Sequence, residues 1–365
     1  MSPPGPGAGP GPTAPTDPVP APGAPTPGVS TDRAPAPLLP AHTAPTPGAP
    51  TQPVPTVPAH LVLAEDAPGP TLVIRVGHLP PGALASSAEL AGLRAALART
   101  PYARLGKIAL YGPSGPAGAD ADAGADLDYR FVQALPDGRF DFRTGCGHSL
   151  LACVVAGAAT VGGPARPVTV RAVTTGDTVR CTPEGDGAYT LAFLRPPTAA
   201  GTLPTGRPVD VLDGVPVTLI RYGNPYVLVD ARHVPAPAPV PEGPLHDRLL
   251  ELRAHAARLL GHPPHSPLPK IAVFSRGSGT RTGGTVTARA LTVGGWHPRL
   301  ALTGAAAFAA AGAIDGTVLA GPVTRIRTPG GTVTVSAEAD RVRVHHKRAR
   351  VLDRLQLPWR IHATA

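Results

Sequence analysis

Cys146 stands between two glycines in Arg143-Thr144-Gly145-Cys146-Gly147-His148, and the chain then runs at once into the apolar stretch SLLACVVAGAA. A thiol beside the amino end of a helix can have its pKa drawn down from about 8.5 toward neutrality, so it can exchange protons or attack an electrophile. Cysteine is also a common small core residue, but the position in a turn favours the chemical reading. Cys153 falls inside the apolar run and reads as packing. Cys181, in VRCTPEG at a strand end, carries no functional signal. The three thiols are spaced for neither a disulfide framework nor a CxxC metal site.

The second candidate is Lys107, which opens the apolar strand IALY. Of the 33 basic residues only Lys107, Lys270 and Lys347 are lysines. An isolated lysine is ordinarily a solvated surface group. In so arginine-rich a chain, a retained lysine suggests a role arginine cannot fill. Lysine can give up its proton when partly desolvated, as a general base must. The same logic covers Lys270 more weakly, because its half of the chain lacks the thiol.

These residues sit in a chain that reads as duplicated. Ile74-Arg75-Val76-Gly77 is echoed by Ile220-Arg221-Tyr222-Gly223, and Gly106-Lys107-Ile108-Ala109 by Pro269-Lys270-Ile271-Ala272. Thr144-Gly145-Cys146 and Thr303-Gly304-Ala305 each open an apolar run. The three pairs are offset by 146, 163 and 159 residues and keep their order. Where the first copy has Cys146, this alignment puts Ala305 in the second. Helical spacing appears over Ser87–Arg99 and Leu245–Leu260. Short strands such as 168–173 and 332–337 fill much of the rest. The expected fold is α+β with two similar lobes. The expected domains are a tail over 1–60, an N-terminal lobe over 61–213 and a C-terminal lobe over 214–365. A cleft between lobes is a common ligand site, and two helix starts converging on it would suit a substrate with two or more carboxylates.

Composition narrows the classes. Twenty of the 50 prolines fall in the first sixty residues, a stretch with no aromatic residue and only Asp17, Asp32 and Arg33 charged. Such a segment cannot bury enough apolar surface to offset chain entropy, so it reads as a disordered or polyproline tail. No run of eighteen apolar residues is present, which argues against a membrane span. The amino terminus lacks the pattern of a secretory signal, so a cytoplasmic location is expected. The net charge of +9 invites a nucleic-acid reading, but aromatics are just 4% and the charge is scattered. No nucleic-acid partner is expected. The one dense basic cluster, residues 345–350, is assigned to a terminal strand and helix. No nucleotide-binding or metal motif occurs, so no cofactor and no metal are expected.

The segments DYRFVQ (128–133), RTGCGHSLLA (143–152), PTGRPVDVL (204–212), PKIAVF (269–274), HPRLALTGAAAF (297–308) and RARVL (348–352) resemble the PrpF family. That family comprises 2-methylaconitate, methylitaconate and oxalomesaconate isomerases with the diaminopimelate epimerase-like fold. The resemblance runs from about residue 70 to residue 355. It implies two pseudo-symmetric lobes, each a β-sheet wrapped around a central helix. It also implies a cofactor-independent proton shift or double-bond isomerisation in a small unsaturated carboxylic acid, with Lys107 and Cys146 catalytic.

By the same resemblance Thr144, Gly145, Gly147, His148 and Ser149, with Asn224, His297, Thr303 and Gly304, line the substrate site. His148 has a second reading, as a cap of its turn. The chain departs from the family in its first turn, where Arg-Gly-Gly-Thr-Ser-Lys-Gly becomes Arg75-Val76-Gly77-His78-Leu79-Pro80-Pro81. It departs again before Lys107, where a Ser/Thr run becomes Ala103-Arg104-Leu105-Gly106. The substrate is therefore expected to differ from the usual tricarboxylate. CGHSLLA also resembles the turn of phenazine-biosynthesis-type isomerases, which points to specialised metabolism. The alternatives are such an isomerase or an epimerase on the same fold, or a non-catalytic accessory protein. A monomer or homodimer is expected.

Overall fold

The computed structural model describes residues 56–359, apart from 80–81, 83, 116–123, 163–164, 235–241, 264–265, 277–283, 293–294 and 320. Most of the stretch read as a disordered tail, residues 1–55, lies outside the described residues. Its last five residues open the first strand, where the alternation of Val57 and Ala59 allows pairing with the far end of the chain.

Elements follow one order twice. The first pass runs β1 (Thr56–Ala64), β2 (Thr71–Arg75), α1 (Ser87–Leu97), β3 (Lys107–Pro113), β4 (Leu127–Ala134), β5 (Phe140–Asp141), α2 (Gly147–Val161), β6 (Val168–Ala172), β7 (Asp177–Pro183) and β8 (Tyr189–Phe193). After β9 (Asp210–Leu212), the second pass runs β10 (Val215–Tyr222), β11 (Asn224–Asp230), α3 (Glu242–Leu259), β12 (Lys270–Arg276), β13 (Thr285–Thr292), β14 (Gly295–Trp296), α4 (Leu302–Gly312), β15 (Arg325–Thr328), β16 (Gly331–Ala337) and β17 (Val342–Lys347). β18 (Ala349–Pro358) ends the order.

Pairing repeats as well. β2 and β3 are parallel across α1, and β11 and β12 are parallel across α3. β4 pairs β6 in parallel across α2, as β13 pairs β15 across α4. The two passes then interlock. β8 pairs β17, β9 lies beside β10, and β18 lies beside β1. The chain is thus α+β, with two similar sheets each wrapped on a central helix.

Burial explains the sorting. All eleven residues of α4 are buried, which is the signature of a helix enclosed on every side, and α2 is buried without a break from Gly147 to Val154 before its last turn reaches solvent. Each inner sheet strand must then be apolar on both faces, and its period of two divides the residues. On β3, Ala109 and Tyr111 join the core around the central helices, while Ile108 and Leu110 pack with Leu90 and Leu93 of α1. On β12, Ala272 and Phe274 face inward, while Ile271 and Val273 pack with Leu249 and Leu252 of α3. Among the described residues no helix is long and apolar enough to cross a membrane.

Three expectations change. The Ile-Arg-x-Gly echo equates β2 with β10, whereas pairing makes β11 the counterpart of β2. The motif recurs because both strands are buried and β-branched, not because they are equivalent. The helix that follows Thr303 in the sequence reading starts one turn earlier, at Leu302 after Ala301. Ala301, not Ala305, therefore matches Cys146, and Ala305 is buried inside the helix. The basic cluster at 345–350 lies in the last two strands with no helix, and its lysine, Lys347, is buried.

Candidate active site

Lys107 and Lys270 open equivalent strands and share the inward faces of Ala109 and Ala272. Their amines therefore emerge where each sheet meets the beginning of the central helices. Cys146 precedes α2 with extended backbone angles (φ −140, ψ 106) and leaves its side chain free of any capping bond. The Cys146 carbonyl accepts from Leu150 N–H and from the Tyr129 hydroxyl, each at 2.9 Å.

The glycines beside it are set by close approach. A Cβ on Gly147 would meet Leu302 side-chain atoms at 2.7 and 2.9 Å, and one on Gly145 would meet Thr175 Cγ2 at 2.9 Å. The two helix starts thus abut, and only a residue without a side chain fits between them. Gly223 does comparable work on the other side. It makes the tight turn from β10 to β11 at φ +76, with Thr303 Cγ2 2.9 Å from where a Cβ would be.

The turn is held by Asn224. Its Oδ1 accepts the Gly145 N–H at 2.7 Å. Its Nδ2 donates to the Gly145 carbonyl at 2.8 Å and to Thr303 Oγ1 at 3.3 Å. Asn224 is 1% exposed, so its amide is spent inside the protein, holding the Cys146 turn to the second sheet.

A cavity of about 310 Å³ is lined by Lys107, Thr144, Gly145, Cys146, His148, Lys270 and His297, with Gln133 and Ala301 among the others. Pro68, Phe131, Trp296 and Pro298 supply apolar wall. No carboxylate lines it among the described residues. Burial lowers the Lys107 pKa, opposed by the neighbouring Cys146 thiol. Burial likewise lowers that of Lys270, with Cys146 opposing and Lys107 adding to the fall. Burial, then the charges of Lys107, Lys347, His297 and Lys270, holds His148 well below the usual histidine range. Burial and Lys270 bring His297 down to about 4. The cavity therefore gathers two lysine side chains of lowered pKa and two neutral imidazoles around Cys146. His148 Nε2 is buried with no hydrogen-bond partner among the described residues.

Not every expected residue reaches this cavity. Ser149 is buried with its hydroxyl 2.9 Å from Thr71 Oγ1. Gly147 and Thr303 border a separate small hollow on the far side of Cys146. Gly304 lies under Tyr226 and Leu300. Gln133, which is not among the expected residues, stands directly opposite Lys107 in the β3–β4 pairing and donates to Gly106 O at 2.6 Å. Alternation along DYRFVQ places Phe131 and Gln133 on one face, but the register needed to seat them beside Lys107 is not written in either strand alone.

Selective alkylation follows from these positions. Cys153 and Cys181 are fully buried, and burial pushes both thiols up, whereas Cys146 is partly exposed. Iodoacetamide on the folded protein is expected to modify Cys146 alone, as read by peptide mass spectrometry. Comparable labelling of Cys153 would contradict the packing described here.

Residues 175–355 match the family model for PrpF protein. That span includes Asn224, Lys270, His297, Thr303 and Gly304 but not Lys107 or Cys146. The chain is 29% identical to the 4-oxalomesaconate tautomerase of Pseudomonas putida, over 54% of this chain and 63% of that protein. It is 28% identical to YbhH of Escherichia coli, a protein that carries the name of an isomerase, over 54% and 65%. The chain thus spans less than two thirds of each of these relatives. Among solved structures it resembles a methylitaconate-delta-isomerase, with a TM-score of 0.59 and 20% identity, over 83% of this chain and 96% of the other. The common fold is that of the diaminopimelate epimerase-like proteins.

Proposed function

We propose that this chain is a cofactor-independent isomerase that moves a proton, and with it a double bond, within a small unsaturated carboxylic acid. The observation that carries the reading is the single cavity shared by the desolvated amine of Lys107 and the thiol of Cys146. Lys107, in its neutral form, takes a proton from the carbon activated by the neighbouring unsaturated carboxyl or keto group, and a C–H bond becomes an N–H bond. The electron pair shifts the double bond along the chain. The Cys146 thiol gives its proton to the far carbon, forming the new C–H bond. The resulting ammonium and thiolate then return to amine and thiol by proton transfer between them or through water.

The rest of the lining suits an acid. Lys270 answers one carboxylate, and the neutral imidazoles of His148 and His297 can donate hydrogen bonds without adding charge. Thr144, Gly145, Gly147 and Asn224 serve in this reading by fixing the thiol, and the enclosed setting strengthens every charge interaction at the reacting atoms. The name of the Pseudomonas relative supports a substrate resembling 4-oxalomesaconate in being unsaturated and carrying more than one carboxylate. A two-thiol epimerase is disfavoured, because Ala301 stands at the start of α4 where the second thiol would be.

The test is incubation in deuterium oxide with a panel of small unsaturated di- and tricarboxylates, 4-oxalomesaconate included, with no cofactor added. Proton NMR should show deuterium entering an allylic carbon and the double bond shifting, and the reactive acid should protect Cys146 from iodoacetamide. Absence of both exchange and protection across the panel would overturn the proposal.

A further inference from the structure

Pro68 and Gly69 belong to the turn between β1 and β2, and His297, Pro298 and Ala301 to the stretch between β14 and α4. Both segments contribute to the cavity wall, the first through Pro68 and the second through His297, Pro298 and Ala301. The Gly69 carbonyl accepts the Lys107 ammonium at 3.2 Å, so the placing of the first wall sets the surroundings of the candidate base. The second wall is pinned locally, since Arg299 N–H donates to His297 Nδ1 at 3.1 Å and His297 N–H donates to Ala290 O at 2.8 Å.

One side chain joins the two. The Asp66 carboxylate, 6% exposed, accepts the Lys347 ammonium at 2.7 Å on one oxygen and the Arg299 guanidinium on the other. Asp66 itself sits at φ 70, in the left-handed region that non-glycine residues seldom occupy and that Asp and Asn tolerate best. Arg299 reaches it by passing over Gly330, where any Cβ would collide with the guanidine stem. Lys347 is the third of the chain's lysines and is itself buried. The contact therefore links the base-bearing sheet, the chain's penultimate strand and the histidine-bearing wall.

We infer that Asp66 is a positioning residue of this site, its carboxylate holding the Gly69 carbonyl against the Lys107 amine and the His297 wall against the first sheet. The inference rests on the reading of Lys107 and Cys146 as the reacting pair. Cutting the link from either end should have the same consequence. The turn loosens, Lys107 loses its acceptor, and its charged form is less favoured in the cavity it shares with Cys146.

The experiment is the pH profile of Cys146 alkylation by iodoacetamide, followed by mass spectrometry, in the full chain and in Asp66→Asn and Arg299→Gln. A positional role raises the midpoint in both variants, by about half a unit, or roughly threefold slower labelling at fixed pH. A through-space charge effect has opposite signs. Removing the Asp66 charge would lower the thiol midpoint and removing the Arg299 charge would raise it. A lowered or unmoved midpoint in Asp66→Asn, or an unmoved one in Arg299→Gln, overturns the inference even if both variants melt earlier. Should Asp66→Asn not fold, Arg299→Lys keeps the charge and shortens the reach. It should still raise the midpoint, and an unmoved one overturns the inference. Lys107→Met in the same assay must itself raise the midpoint. If it does not, the reading of the reacting pair fails, and the role of Asp66 falls with it.

Discussion

If Lys107 is the general base proposed above, replacing it by methionine should slow deuterium exchange into the substrate by about two to four orders of magnitude, the usual range for such a loss. Methionine keeps most of the length and apolar stem, so the wall beside Phe131 and Gln133 should survive. The wild-type rate should rise with pH as the amine loses its proton. Because burial lowers the Lys107 pKa, the midpoint should fall below the ordinary 10.5. The same shift fixes the sign of the stability effect. A lysine whose folded pKa lies below its unfolded value weakens the fold while charged, and the penalty fades as pH rises from the folded value to the unfolded one. At pH 7 the variant should therefore melt no earlier than the parent. Exchange within about threefold of the parent would remove Lys107 from the chemistry.

Asn224→Leu should be the most damaging single change at the turn. It strips the Gly145 N–H and carbonyl of their partners while both stay buried between two helix starts, and each unsatisfied group costs about 1–3 kcal/mol. A loss of roughly 2–6 kcal/mol in urea unfolding is expected, together with loss of the proposed isomerisation, because the Cys146 turn is no longer tied to the second sheet. Asn224→Asp keeps the acceptor for Gly145 N–H but sets an oxygen against the Gly145 carbonyl, so it should fall between the two. A fully stable Asn224→Leu would mean that the clamp contributes nothing.

Much of the architecture was legible because it depends on periodicity. α1 and α3 announce themselves by leucines at helical spacing, and their observed bounds differ from those expected by no more than three residues. The duplication was legible too, but its register was not. Ile74-Arg75 and Ile220-Arg221 match because buried strands draw on the same few side chains, and only the ladder of pairs shows that β10 stands where β1 does. Within the site, the rarity of lysine and the glycine-flanked cysteine marked two residues that share a cavity. Ser149 could not be placed from its neighbours, because over the enclosed first half of α2 each residue faces protein and the sequence carries no stripe to say which. Asn224 is expected as a substrate contact, and its amide hydrogen-bonds Gly145 and Thr303. Asp66 gave no signal at all, since its partners lie more than 230 residues away in the chain.

β18 lies along the whole of β1, with Thr56 opposite Pro358. During synthesis the ribosome therefore produces β1 nearly three hundred residues before its neighbour exists. Until then the emerging first sheet carries a bare hydrogen-bonding edge, the kind of edge that invites pairing with other chains. Because so distant a contact must close last and slowly, the nascent polypeptide has a long window in which a holding chaperone would protect it.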